Sequence, residues 1–237
     1  MENTIINADD FGRSSEVNEA VKECFKQNYI QRASLMVNMP GTKEAIAIAK
    51  QEGFMDKIGL HINIVEGIPL CGTTKDSFLC TEGVFNSCIN KRFLPAFRIL
   101  LSLKEKRAIY REVEAQMRFF REQGFKSGHF DSHRHSHMNL GVLWTIRKLI
   151  IKYAFSSFRT KTRLNRKSIS NCIYSKIVSE LNLSHTEDFY SYRDYMGEND
   201  EFDMKGQSVE LSLHPYMSAD GIICDSKGEL FGFQKSN

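Results

Sequence analysis

Apolar positions along the chain switch between an alternating and a helical period, and the switches predict strands and helices in turn. Thr4 to Ala8 reads as a short buried strand running into Asp9-Asp10, and Phe11-Gly12-Arg13-Ser14-Ser15 reads as a turn. Ser14 or Ser15 is placed to cap a helix with Glu16 in its first turn. Val17, Ala20, Val21, Cys24 and Phe25 then recur at helical spacing. Ala33 to Val37 is a second strand. Thr42 opens a helix that carries Ala45, Ile46, Ile48 and Ala49, and Gly53 ends it. Ile58 to Asn63 is a third strand. From Ile64 to Pro95 the pattern is broken by Gly67, Pro69, Gly72 and Gly83, and a connection this long reads as a binding loop. A long helix over Lys104 to Gln123 buries Ile109, Val113, Met117 and Phe120, and Gly124 stops it. Phe125 to Phe130 is a strand. Leu140 to Tyr153 is a helix with Leu143, Ile146, Leu149 and Ile150 facing inward. Val209 to His214 alternates as a late strand, ended by Pro215. Ser191 to Asn199 is polar and fits neither period.

This succession predicts an α/β fold. In a parallel arrangement the carboxyl ends of the strands open on one face. Asp9-Asp10, His61, Asp131-His133 and His214 each sit at the end of a predicted strand, so residues as distant as Asp9 and His214 can meet there. No internal repeat, low-complexity tract or linker interrupts the chain, and one domain over 1–237 is the simplest organisation. The densest chemistry lies in Gly128 to His137, which holds four of the seven histidines and Asp131. His129, Asp131, His133, His135 and His137 share one parity, so an extended segment aims them to one side. Two or three near the strand end can reach a metal, with the others behind them.

Composition narrows the classes. Of 237 residues 41% are hydrophobic, enough for a real core. A net charge of +3 is too small to argue for nucleic acid. The basic residues Arg159, Lys161, Arg163, Arg166, Lys167 and Lys176 lack interleaved aromatics, and read as a solvated face or as a loop over a polar substrate. Six scattered cysteines without a Cys-x-x-Cys pair suggest reduced thiols and a cytoplasmic location. Met1 to Asn7 has no basic stretch followed by an apolar one, and neither a secretory leader nor a membrane span is expected.

The residue types suit a metal-assisted hydrolase. One carboxylate and two imidazoles make a three-ligand site with an open position. Zn²⁺ accepts this set readily, Mg²⁺ usually takes more oxygen ligands, and Mn²⁺ or Fe²⁺ are further candidates. A second carboxylate beside the ligand can act as general base, and Asp9-Asp10 supplies such a pair. Neighbours on a strand point to opposite sides, so a kink at Phe11-Gly12 is expected to bring both in. A remote His214 could protonate a leaving amine. In isolation each has a plainer reading: a turn for Asp9-Asp10, a core residue for His61, a strand end for His214. His185 reads as surface, and Cys71, Cys80 and Cys88 as thiols without function.

Asn7-Ala8-Asp9-Asp10-Phe11-Gly12, Gly59-Leu60-His61, the His129 to His137 run and Leu213-His214-Pro215 together resemble the YdjC-like carbohydrate deacetylases, which include the chito-oligosaccharide deacetylases. Val17-Asn18 and Ser34-Leu35-Met36-Val37-Asn38 fit as well. The resemblance implies a distorted (β/α) TIM-like barrel and a divalent ion held by Asp10, His61 and His133. Mg²⁺ or Zn²⁺ is expected, with Mn²⁺ or Co²⁺ as alternatives. It makes Asp9 the base and His214 the acid. Substrate contacts are expected at His129, Asp131, His135 and Arg159. The implied reaction removes the acetyl group from an N-acetylated amino sugar. The expected partner is a small carbohydrate, with no nucleic acid and no membrane, and a homodimer is compatible with the fold. Two other readings stay open: a metal hydrolase of another bond, such as a phosphoester or a non-sugar amide, and a non-catalytic sugar- or metal-binding barrel.

Overall fold

A computed structural model describes residues 4–90, 101–160, 169–186, 188–192 and 208–225. The first strand, β1 (Thr4–Phe11), outruns its apolar stretch and leads through Gly12 to α1 (Ser15–Lys26), capped by the Ser14 side chain. β2 (Arg32–Leu35), α2 (Thr42–Gln51) and β3 (Ile58–Ile62) follow as the hydrophobic periods predict. The irregular stretch after β3 contains only short pieces: α3 (Gly72–Lys75), the β4 (Cys80–Thr81) and β5 (Val84–Phe85) ribbon, and α4 (Ser87–Asn90). α5 (Leu103–Glu122) starts at a capping box in which Ser102 and Glu105 satisfy each other's backbone N–H groups. Then come β6 (His129–Ser132), α6 (Leu140–Lys152), β7 (Ser157–Phe158), α7 (Ile169–Leu181), β8 (Asp188–Ser191) and β9 (Val209–Leu213). Pro215 does end β9, but it also opens a hairpin of β10 (Pro215–Met217) and β11 (Ile223–Asp225).

One expectation is corrected here, and two others fall largely outside the described residues. The strand predicted over 125–130 forms over 129–132 instead. The Arg121 guanidinium takes the carbonyls of Phe125 (3.0 Å) and Ser127 (2.9 Å), which holds that approach out of the ladder. The predicted basic face opens with a strand, β7, and closes with Lys176 exposed on α7; Lys161, Arg163, Arg166 and Lys167 lie outside the described residues. Most of Ser191 to Asn199 also lies outside them, although Ser191 closes β8.

Seven strands form one parallel sheet in the order β7-β6-β3-β2-β1-β9-β8. Among the described residues β7 and β8 do not pair, so the sheet is a curled half-barrel and not a closed TIM barrel. The helices lie on its outer face. Val21, Cys24, Ala45, Ala49, Ile109, Val113, Met117, Phe120, Leu143, Ile146 and Leu149 from their inward stripes pack with Ala8, Leu35, Leu60, Phe130 and Phe158 from the strands. Among the described residues no helix is long and apolar enough to cross a membrane.

The inner face is polar. Along β1, β2, β3, β6 and β9 the residues that alternate with the apolar ones are Asn7 and Asp9, Ser34, His61, His129 and Asp131, and Glu210 and Ser212, all buried. Arg159 joins them from the residue after β7. Its guanidinium holds Asp9 at 2.6 Å through both Nη atoms, Asp131 at 2.9 Å and Glu210 at 2.7 Å. This contact demonstrates the curl. In a flat sheet β7 and β9, five strand spacings apart, would be about 24 Å from each other, far beyond the reach of one arginine.

Burial works against the Glu210 charge, but Arg159 and Arg32 outweigh it and hold the carboxyl down to about 2. A depressed carboxylate stabilises the fold fully above its unfolded value near 4.5, and that contribution disappears as pH falls through about 2. Glu210→Gln leaves Arg159 short of a buried partner and is expected to cost about 3–5 kcal/mol at neutral pH. Urea unfolding from pH 7 to 2 should show the gap between wild type and variant shrinking below pH 4.5; a constant gap would mean that Glu210 is not ionised in the folded state.

Candidate metal centre

The centre is built at the carboxyl ends of β1, β3 and β6. Two left-handed backbone turns make it possible. Asp10 itself adopts φ +63°, a region that aspartate tolerates better than most residues, and the β1–β2 register slips between Ala8 and Phe11. The expected kink therefore begins one residue earlier than Phe11-Gly12, at Asp10, and it turns Asp10 inward beside Asp9, which strand alternation already aims there. Gly12 follows at φ +91°, where a Cβ would lie 2.7 Å from the Met36 carbonyl oxygen. The second turn comes after β6. Arg134 (φ +52°) and His135 (φ +56°) break the extended run within a 3-10 stretch over His133–Met138. The common parity of the five residues thus holds only for His129 and Asp131.

Asp10, His61 and His133 converge, with one ligand atom of each within 4.8 Å of the others. Asp10 Oδ1 lies 3.2 Å from His61 Nε2 and 2.9 Å from His133 Nδ1. His61 presents its other nitrogen, Nδ1, to Asp131 Oδ1 at 2.6 Å. Asp131 is itself fixed by Ser34 (2.9 Å) and Arg159. A carboxylate behind an imidazole fixes its tautomer and leaves the outer nitrogen free as a ligand. Burial opposes ionisation of Asp10, yet the hydrogen bonds from His133 and His61 hold its carboxyl well below the usual range. Burial likewise opposes a charged His61, but the Asp131 charge and the bonds to Asp10 and Asp131 push it up to about 10.

The residues fit a divalent cation. One carboxylate and two imidazoles, all buried and converging at the strand ends, are a donor set that a divalent ion takes. Two further sets of potential ligands, Asp9-His61-Asp131 and His129-Asp131-Glu210, occur in the same interior. Their carboxylates already face the guanidinium of Arg159, and a cation there would meet like charge.

Asp9 lies beside the triad. Asn7 Nδ2 donates to its Oδ1 at 2.7 Å, and Arg159 grips both oxygens. His214, just past β9, points its Nε2 to within 3.8 Å of Asp9 Oδ2, while its side chain keeps 34% exposure. The His214 backbone N–H donates to Asp225 of the hairpin at 3.2 Å.

The remaining residues divide. His135 is half-buried against Phe189, and burial, with the Arg159 charge behind it, pushes its imidazole down to about 3. Asp131 and Arg159 are fully buried and face each other and His61 or Asp9, so both position the site without reaching the cleft. His129 sits at the opposite end of the sheet, beside Ser157, Arg32 and Glu210, in a cavity of about 280 Å³. Burial, with Arg32 nearby, pushes its imidazole down to about 3. Substrate contacts expected at Asp131, Arg159 and His129 are therefore not what the structure displays. His137 is a core residue, bonded to Ser132 Oγ (2.6 Å) and the Arg159 carbonyl (2.8 Å). His185 is exposed, as expected, with its ring edge-on to Phe158. The free thiols among the described cysteines, including Cys71, Cys80 and Cys88, contribute no ligand to the centre. Asn7, Ser34, Arg32 and Glu210 were not anticipated; their signal was the polar residue at every second position of each inner strand.

The chain matches known proteins over these same elements. It is 34% identical to a carbohydrate deacetylase of Brevibacillus brevis over 149 residues, covering 63% of this chain and 56% of the relative. Another from Vibrio cholerae is 32% identical over 63% of this chain and 55% of its own length. The matched part thus spans about half the length of these curated relatives. A carbohydrate deacetylase of Geobacillus stearothermophilus is matched further, at 29% identity over 89% of this chain and 78% of the relative. A crystal structure from Enterococcus faecalis, of a protein provisionally described as acting in cellobiose-phosphate cleavage, shares the fold with a TM-score of 0.70 at 21% identity, over 92% of this chain and 82% of the other. A family model for YdjC-like proteins matches residues 3–229, and with the Asp10, His61 and His133 arrangement in place the chain belongs to the YdjC-like family.

Proposed function

We propose that the chain is a metal-dependent carbohydrate N-deacetylase. The observation that carries this reading is the pairing of Asp9 with His214, 3.8 Å apart, beside the Asp10, His61 and His133 triad. A buried carboxylate and a partly exposed imidazole, both next to a potential Lewis-acid site, are the base and acid that amide hydrolysis requires. The relatives named carbohydrate deacetylases support an acetylated sugar as the substrate class.

A divalent ion held by Asp10, His61 and His133 supplies Lewis-acid polarisation of a water and of the acyl carbonyl. The protein supplies the proton transfers. Asp9 takes a proton from the attacking water on Oδ2, the oxygen that faces His214. Arg159 and Asn7 keep that carboxylate from rotating. The attack makes a tetrahedral carbon on the acetyl group. His214 Nε2 then gives a proton to the departing nitrogen, the C–N bond breaks, and acetate and the free amino sugar result. His135, half-buried and held neutral, borders the same space and is suited to contact the sugar. The open, curled sheet is the distorted form of a (β/α) barrel, with the cleft at the strand ends.

The direct test is acetate release from N,N′-diacetylchitobiose by metal-stripped protein, alone and with Zn²⁺, Mg²⁺, Mn²⁺ or Co²⁺ restored. Metal-dependent acetate is the expected result; no acetate with any of the four would remove this substrate class. Asp9→Asn is expected to lower kcat by about 10²–10⁴-fold while retaining metal. His214→Ala should fall similarly, because it removes the acid. His133→Ala should instead fail to retain metal under dialysis. If its metal content matched wild type, His133 would not be a ligand.

A further inference from the structure

We infer that Glu66 and Arg13 form an outer support for the candidate metal centre, with Glu66 positioning His133 and Arg13 tying Glu66 to Asp10. The inference rests on the proposed metal centre and extends it to residues outside the ligand set.

The two imidazoles of the centre are arranged alike. His61 turns one nitrogen to Asp10 and the other to Asp131. His133 turns Nδ1 to Asp10, and its Nε2 lies 3.3 Å from Glu66 Oε1. Neither Nε2 nor this carboxylate oxygen has an aligned hydrogen bond, and both atoms are buried. Two buried polar atoms of complementary type, facing each other, are an expensive arrangement unless they work as a pair. With Nδ1 engaged at the centre, the ring proton of His133 resides on Nε2, where Glu66 stands to accept it.

Glu66 is held for this task by its own loop. Asn63, just past β3, donates from its side chain to the Glu66 carbonyl (2.7 Å) and accepts from the Glu66 backbone N–H (3.2 Å). Gln116 of α5 clamps the Asn63 backbone from both sides, at 3.0 and 2.6 Å. Gly67, at φ +78°, turns the chain away where a Cβ would meet Met39 Sδ and the Asn38 carbonyl oxygen. The start of the long irregular stretch is therefore a fixed bracket. Arg13 completes it, with Nη1 on Asp10 Oδ2 at 3.0 Å and Nη2 on Glu66 Oε1 at 3.2 Å. A carboxylate on the ligand and a carboxylate on the support share one guanidinium, so Asp10 and His133 are oriented by a common group.

The experiment measures Zn²⁺ affinity by competition with a chelating dye for wild type, Glu66→Ala, Glu66→Gln and Arg13→Ala, with thermal unfolding of each metal-free protein as a check on folding. Glu66→Ala is expected to weaken Zn²⁺ by about 10–100-fold. Glu66→Gln keeps an acceptor for the His133 ring proton and should recover part of that loss, a rescue that a purely structural role would not show. The visible spectrum of the Co²⁺-loaded protein should change in the Ala variant and less in the Gln variant. Unchanged Zn²⁺ affinity in Glu66→Ala overturns the inference and leaves the metal centre standing. A wild type that binds none of the ions overturns the centre and the inference together.

Discussion

A fully buried guanidinium governs this molecule. Arg159 cannot shed its proton, so its burial is tolerable only if carboxylates surround it with good geometry. Asp9, Asp131 and Glu210 do so from three different strands. The arrangement has two consequences. It draws the sheet inward, because the three carboxylates must converge on one planar group. It also immobilises Asp9, whose two oxygens meet the two Nη atoms side by side. The curl of the fold and the orientation of the candidate base thus come from the same contact.

Charge then builds upward from this layer. At the strand amino ends, Arg32 and Glu210 pair beneath His129, whose imidazole is held neutral. In the middle, Arg159 is outnumbered by carboxylates. At the strand carboxyl ends, Asp10 meets the imidazoles of His61 and His133. Arg159 thus separates the three carboxylate-imidazole groupings of the interior: it already faces the carboxylates of two of them, and only Asp10, His61 and His133 lie beyond its reach.

The YdjC-like membership and the shared fold bear on different parts of this picture. Identity near one third over somewhat more than half the chain, and near that level over most of it in one relative, supports the family and the class of chemistry. The neighbour of known structure, at 21% identity, supports the architecture.

Much of the fold was legible because helix faces and strand ends are written in local patterns. The stripes Ile109-Val113-Met117-Phe120 and Leu143-Ile146-Leu149 are buried as their spacing demands, and Asp10, His61 and His133 meet because parallel strands open at one end. What the sequence could not reveal depended on contacts between distant segments. Arg159 looked like the start of a solvated basic run, since nothing local tells a cation that three carboxylates lie across the sheet. The parity of the histidine run promised five side chains on one face, but left-handed turns at Arg134 and His135 bent the chain after Asp131. Strand β6 began late because Arg121, on the preceding helix, took the carbonyls that a strand would have used. The sequence by itself determined which residues were chemically able to form the centre and on which elements they sat. Only the tertiary structure decided which of them face the cleft and which hold it in place, because that division is set by how far the sheet curls around one buried charge.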